Sequence, residues 1–235
     1  MTERWAQAVR HQLGLGRLLP LGGARDGAWI TEGAAGVVLR RAARGVPGVR
    51  LGTLRLGLAE PEDAEEPAVP LPPSALPPGP IRLTADFAAT AAVPLPDTVS
   101  RLRPVLATAA TEGIGLAVTE VDLRVTGLLD DAEPPAPAAE AVPSATARDT
   151  ADTDEARVAA AALSVPGVTR LGGLGRAVRI EEQQDGAALA HRHVRVEVAV
   201  DDAHRALDVA RQVRTAVGNA LHDHPTVAVL ITTVD

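Results

Sequence analysis

The sequence predicts an α+β fold made of two tandem α-β-β-α-β units related by internal duplication, preceded by an N-terminal amphipathic helix. Three observations predict it. The tetrapeptide Val46-Pro47-Gly48-Val49 returns as Val165-Pro166-Gly167-Val168, about half the chain later. Longer flanks match as well: "AARGVPGVRLGTL" at 42–54 lies over "AALSVPGVTRLGGL" at 161–174, with Thr169 as the one inserted residue. After each copy the hydrophobic pattern reads strand, helix, strand.

Residues 3–13 place Trp5, Val9 and Leu13 on one helical face, a face able to grip a partner or pack on its own chain. Residues 18–27 read as turn. A helix is expected over 28–44, with Ile30, Ala34, Val37, Val38 and Ala42 inward. Pro47 disfavours helical geometry at Val46, and Gly45 offers a left-handed cap. Pro47 and Gly48, like Pro166 and Gly167, suit the centre of a type II turn, where the glycine takes positive φ. A strand follows over 49–58. Residues 59–80, acidic and then proline-rich, read as a long mobile insert with few contacts.

Ile81, Leu83, Ala85 and Phe87 alternate with polar neighbours, as in a half-buried strand. A helix over 97–112 contains Pro104, expected to kink it or delay its start. Val121, Leu123 and Val125 alternate in the strand that closes the first unit, 26–128. Residues 129–153 lack both periodicities and read as an acidic Pro/Ala linker.

The second unit, 154–235, repeats the plan. Its helix covers 154–163 and its first strand lies near 176–181. Val194, Val196, Val198 and Val200 alternate in the next strand, leaving one side to cover. Asp201 or Asp202 can cap a helix with Ala206, Val209, Ala210, Val213, Val217 and Leu221 on one stripe, stopped by Pro225. The last strand is "TVAVLITTVD". Each unit is small and poor in rings, so the two are expected to pack as a pseudo-twofold pair.

Composition narrows function. Of 235 residues 46% are hydrophobic, yet only Trp5, Trp29 and Phe87 are aromatic, so Ala, Val and Leu must fill the core. Every basic side chain is Arg, a bias of GC-rich genomes. The net charge of −7 opposes nucleic acid and anionic lipid unless basic residues cluster. Arg40, Arg41 and Arg44 share a helix, but stacking aromatics are missing, so no nucleic-acid partner is expected. The absence of Cys removes disulfides, thiolate zinc sites and thiol nucleophiles. No apolar run is long enough to suggest a membrane span, and the N-terminus shows no apolar signal core.

Catalytic residues are not found: the serines lack a nucleophile-elbow context, and neither Gly14-Leu15-Gly16 nor Gly173-Leu174-Gly175 has phosphate-loop spacing. The run Glu60, Glu62, Asp63, Glu65 and Glu66 reads as a solvated loop. His191, His193, His222 and His224 form two His-x-His pairs, which make a metal site if the fold brings them together. The plainer reading has His222 and His224 complementing a helix end, with His191 and His193 solvated.

A helix ending "AA..VPGV", a strand pair, an amphipathic helix and a closing valine-rich strand resemble the alkaline shock protein / envelope stress response family of Gram-positive bacteria. Residues 154–235 are the closer match. The first unit fits through "VVLRRAARGVPGV" and "GLAVTEVDLRV", departing in its Pro-rich insert, Pro104 and the tandem arrangement. The resemblance implies a cytoplasmic, non-enzymatic scaffold or adaptor without cofactor. Its partner would be a protein, an integral membrane anchor or a related family member, and homo-oligomers are within its range. The alternative from the residues alone is a metal- or small-ligand sensor using the second unit's histidines.

Overall fold

A computed structural model describes residues 15–129, 153–172, 177–183 and 191–235. The expected N-terminal helix with Trp5, Val9 and Leu13, most of the linker, and Gly173 to Gly175 lie outside them.

The chain is α+β. Strands β1 (Leu18–Leu21) and β2 (Ala28–Thr31) form an antiparallel hairpin ahead of helix α1 (Glu32–Arg44). Strand β3 (Val49–Leu58) pairs antiparallel with β4 (Ile81–Thr90). Helix α2 (Leu95–Thr108), widened into a π turn over Ala109–Ile114, then carries the chain to β5 (Val118–Leu129), parallel to β4. The second half runs α3 (Asp154–Leu163), β6 (Val168–Leu171), β7 (Val178–Gln183), β8 (His191–Val200), α4 (Ala206–Ala220) and β9 (Thr226–Val234), with three strands between its helices where the expected plan has two. Here β6 and β7 both pair antiparallel with β8, and β9 runs parallel to it.

Two sheets result. One is β3-β4-β5; the other has six strands, ordered β1-β2-β9-β8-β6 with β7 also on β8. The early hairpin joins the later sheet because β2 lies parallel to β9. This corrects the turn expected at 18–27 over 18–21 only, since 22–27 do turn, and it corrects the helix start expected at 28. Residues 18–21 and 28–31 are buried throughout, so they are covered sheet rather than amphipathic surface. Thr31 starts α1 instead, its hydroxyl accepting the Ala34 N–H at 3.1 Å.

The later start also turns the expected face of α1. Ala34, Ala35, Leu39 and Ala43 point inward, while Val37 is exposed. Gly45 has φ −71, not the left-handed cap expected of it; the helix simply ends, and the positive φ falls at Gly48. Pro104 sits inside α2 without ending it. Its ring lies on the exposed side, where water can serve the carbonyl that loses its amide partner. Asp201 does not cap α4 directly: it accepts the His204 N–H, and α4 begins after Arg205. The strand expected near 176–181 runs from Val178 to Gln183.

The insert at 59–80 is a larger correction. It was expected to lack contacts, yet Val69 is buried and packs with Leu18, Trp29, Ala228 and Leu230 on the outer face of the six-stranded sheet. The Trp29 indole N–H donates to the Leu76 carbonyl at 3.1 Å. Backbone bonds join Leu18 N–H to Ser74 O and Leu76 N–H to Leu18 O. A proline-rich segment has few amides to satisfy, so it can lie irregularly on a sheet face at small cost in unmet donors. Its acids, Glu60, Glu62, Asp63, Glu65 and Glu66, all face solvent.

One core cluster contains residues from both halves, from Leu39 and Phe87 to Val196 and Leu207. Polar contacts cross as well. Arg211 of α4 donates to Asp26 at 2.8 Å, Arg205 to the Thr111 carbonyl at 3.0 Å, and Arg41 pairs with Asp202. Burial alone would raise the Asp26 carboxyl, but the Arg211 guanidinium and the Gly23 N–H hold it below its ordinary value.

Candidate functional site

The two Val-Pro-Gly-Val turns share their backbone geometry. Gly48 has φ 72 and Gly167 φ 89, the left-handed value that a type II turn needs at its third residue. In each copy the glycine carbonyl accepts an amide from the far end of the strand that leads to the next helix: Thr90 N–H at the end of β4 at 2.9 Å, Asp201 N–H just after β8 at 3.0 Å. Val46 and Val165 are equally buried at 6% exposure, while Val49 and Val168 open the strands half-buried. Each following strand then carries one extra residue, between Leu51 and Leu54 in β3 and between Val168 and Arg170 in β6. Thr169, the insertion in the sequence match, is the bulged residue of β6. Beside the second turn, Ser164, Val165, Pro166, Gln212, Thr215 and Ala216 line a shallow groove of about 420 Å³.

The histidine-rich end of the second unit is the other site. Because β9 is parallel to β8, with Thr226 opposite His193, the turn before β9 lies beside the start of β8. Glu182, His191, Arg192, Asp223, His224, Pro225 and Thr226 line a cleft of about 460 Å³ there. Arg192 bridges it, 2.6 Å from Asp154 at the start of α3 and 3.4 Å from Asp223. Asp154 is also held by Arg157. His224 takes a left-handed φ of 45, which turns the chain into Pro225 and presents its ring to the cleft.

The four histidines singled out in the sequence therefore separate. His191 and His224 share the cleft. His193 is buried beneath it, its Nδ1 2.9 Å from the Thr226 hydroxyl. Burial holds the His193 imidazole below its ordinary value; Glu181 opposes this, and Arg195 and His191 reinforce it. His222 is exposed and does not line the cleft. Among the described residues no three His, Asp or Glu side chains converge in a way that could hold a metal. Arg192 is committed to two carboxylates, so the groups left to meet a small polar ligand are Glu182, His191 and His224.

Arg40 and Arg41 of the basic cluster on α1 serve the fold: Arg40 donates to the Gly52 carbonyl and Arg41 pairs with Asp202. Sequence reading missed the ion-pair bridge at Arg192 and the charged column His193, Arg195 and Glu197. The column was present as the intervening letters of "HVRVEV", read only for its valines.

No protein-family model matches the chain, and no curated protein matches it. Among solved structures it is similar to a variant of the MamM C-terminal domain, at 13% identity over 42% of this chain and 95% of that one, with TM-score 0.28. A second variant, in a cadmium form, gives 14% identity over 40% and 94%, with TM-score 0.27. No described helix is long and apolar enough to cross a membrane.

Proposed function

We propose that the two α-β-β-α-β units arose by internal duplication and that the chain is a non-enzymatic scaffold or adaptor of the alkaline shock / envelope stress response kind. It acts by protein-protein contact in the cytoplasm, near the membrane, through an integral anchor or a related family member. The observation that carries this reading is the paired turn: two left-handed glycines, each with its carbonyl bonded at the far end of the strand that leads to the next helix, each followed by a one-residue bulge. Shared irregularities of this kind follow from common descent more readily than from two independent helix stops. Affinity capture with the full chain from membrane extracts tests the function. Enrichment of an integral membrane protein or a family member, lost when the Trp5-Val9-Leu13 face is made polar or the groove beside Pro166 is filled, is the expected result. Equal capture by all variants, or none, overturns it.

A second reading has one observation in its favour: His191, His224 and Glu182 line a single cleft, although they do not converge as metal ligands. In it the chain is a metal- or small-ligand sensor, and a small polar ligand is what this lining favours. Elemental analysis of the purified full chain separates the two, since a stoichiometric transition metal that disappears in His191→Ala supports the sensor.

A further inference from the structure

The outer face of the six-stranded sheet is divided. On β1, β2 and β9 it is apolar and covered by the insert, with Val69 over Leu18, Trp29, Ala228 and Leu230. On β7 and β8 the same face is charged. Glu181 stands opposite His193, and Arg179 directly opposite Arg195. Ala228, buried beneath the insert, flanks Arg195 on the other side, so the charged patch borders the covered one.

Like charges directly opposite on antiparallel strands repel. One feature makes this pair harder to explain as incidental surface charge. The Arg195 Nε is sealed from solvent and has no hydrogen-bond partner among the described residues. Burial, reinforced by the charge of Arg179 and opposed by Glu197 and Glu181, holds the Arg195 guanidinium below its ordinary value. A guanidinium remains a cation even so. A buried donor without a partner calls for a ligand or a strain that something else offsets.

We propose that Arg179 and Arg195 form a binding site for a phosphate-class oxyanion on the outer face of the six-stranded sheet. Two guanidinium forks present more donors than the two oxygens of one carboxylate can accept bidentately, whereas a phosphate offers enough oxygens to meet both. Glu181 and Glu197 lie on either side of the arginine pair, and their charge disfavours a dianion. The fitting ligand is therefore singly charged: a phosphodiester, a phosphate monoester that keeps one proton, or inorganic phosphate that keeps two. A soluble phosphate compound and a lipid headgroup share that chemistry. The site is independent of the adaptor reading, since neither the turns nor the groove takes part in it.

The test uses the full chain. Inorganic phosphate is titrated against chloride at equal ionic strength, reading the Nε–H resonance of Arg195 by NMR. In parallel, the protein is sedimented with phosphatidylglycerol and with phosphatidylcholine vesicles. Phosphate is expected to move the Arg195 resonance saturably where chloride does not. Arg179→Gln, on a strand paired on one side only, should weaken apparent phosphate affinity roughly tenfold to a hundredfold, the loss that follows from one charged hydrogen-bonding group. Sedimentation with phosphatidylglycerol that Arg179→Gln abolishes assigns the site to a lipid headgroup; phosphate binding without sedimentation assigns it to a soluble compound. Equal responses to phosphate and chloride overturn the proposal. So does an Arg179→Gln variant, shown folded by circular dichroism, that binds phosphate as the parent does.

Discussion

On β4 the residues alternate between buried and half-buried along the whole strand, whereas on β8 the valines of one side and His193, Glu197 and Ala199 of the other are all buried. Both are the central strand of the same connectivity: an antiparallel neighbour before, a helix and a parallel neighbour after. The three-stranded sheet has one face against α1 and α2 and gives the other to water, where Arg82 meets Glu120 and Arg124 meets Asp86. The six-stranded sheet has helices on one face and, over part of the other, a proline-rich cover contributed by the first half of the chain. One local plan thus yields a surface sheet or a central one, and what decides is chain from elsewhere, the hairpin at 18–31 and the insert at 59–80.

The largest effect expected from this difference is at the cover. Trp29 is 1% exposed beneath the insert, so Trp29→Ala should cost about 3–5 kcal/mol in unfolding free energy. It should also open 59–80 to limited proteolysis before the rest of the chain is cut. A cost below about 1 kcal/mol, with the insert still protected, would mean that the cover is held by its backbone bonds rather than by the indole.

The turns allow a matched pair of substitutions. A Cβ at Gly167 would stand 2.8 Å from Val209 Cγ2 and 2.9 Å from His204 Cγ, while one at Gly48 would meet the Thr90 hydroxyl at 2.6 Å. Both glycines have positive φ, so both alanine variants are strained, by about 1–3 kcal/mol. Gly167→Ala should be the worse of the two, because a threonine hydroxyl can rotate away and a packed valine on α4 cannot. Chemical denaturation of the two variants decides it; equal losses would place the whole cost in the backbone.

Sequence pattern carried the alternation of β4 and β8, the stripe of α4 and both turns, because each is local and strongly periodic. It failed where a second layer overrides local character. "LLPL" and "AWIT" are too short to show a period, so they merged with a turn and a helix. The insert was judged by its prolines and acids, though Val69 and the carbonyl offered to Trp29 do the packing. Of the candidate sites, the turns were legible because glycine and proline chemistry is local. The cleft was half legible: the His-x-His letters pointed to its end of the strand, but the separation of His193 from His191 depends on Thr226 in β9. The opposed arginines needed the register of β7 on β8, which lies in neither segment alone.

His193 gives the comparison a pH axis. Its imidazole is held below the ordinary value of 6.5, mainly by burial, so the folded state resists a proton that the unfolded chain accepts. Stability is then fully present above about 6.5 and falls as the pH drops from there towards the folded-state value, where the loss levels off. Denaturant midpoints from pH 7.5 to 5 should show this decline, and His193→Gln should flatten it. The three-stranded sheet has no buried histidine among its described residues. A decline of equal size in His193→Gln would assign the effect to another group.

The smallest effect is expected on the open face. Arg82 lies 2.6 Å from Glu120 and 3.7 Å from Asp122, across β4 and β5, with all three side chains well exposed. The carboxylate beside it, chiefly through its hydrogen bond, raises the Arg82 value, but in water such a pair is screened and its ordering entropy offsets most of the attraction. Arg82→Ala should leave the denaturant midpoint within experimental error at physiological salt, and the double variant with Glu120→Ala should show no coupling that survives added salt. Removing a charge from the covered sheet is different in kind, because a buried partner is left behind without water. A clear loss of stability in Arg82→Ala that grows with protein concentration would show that this face is covered in solution by a second copy. The contrast between an open sheet and a covered one would then fail for the free protein, and the charged face of β3-β4-β5 would become the interface to map.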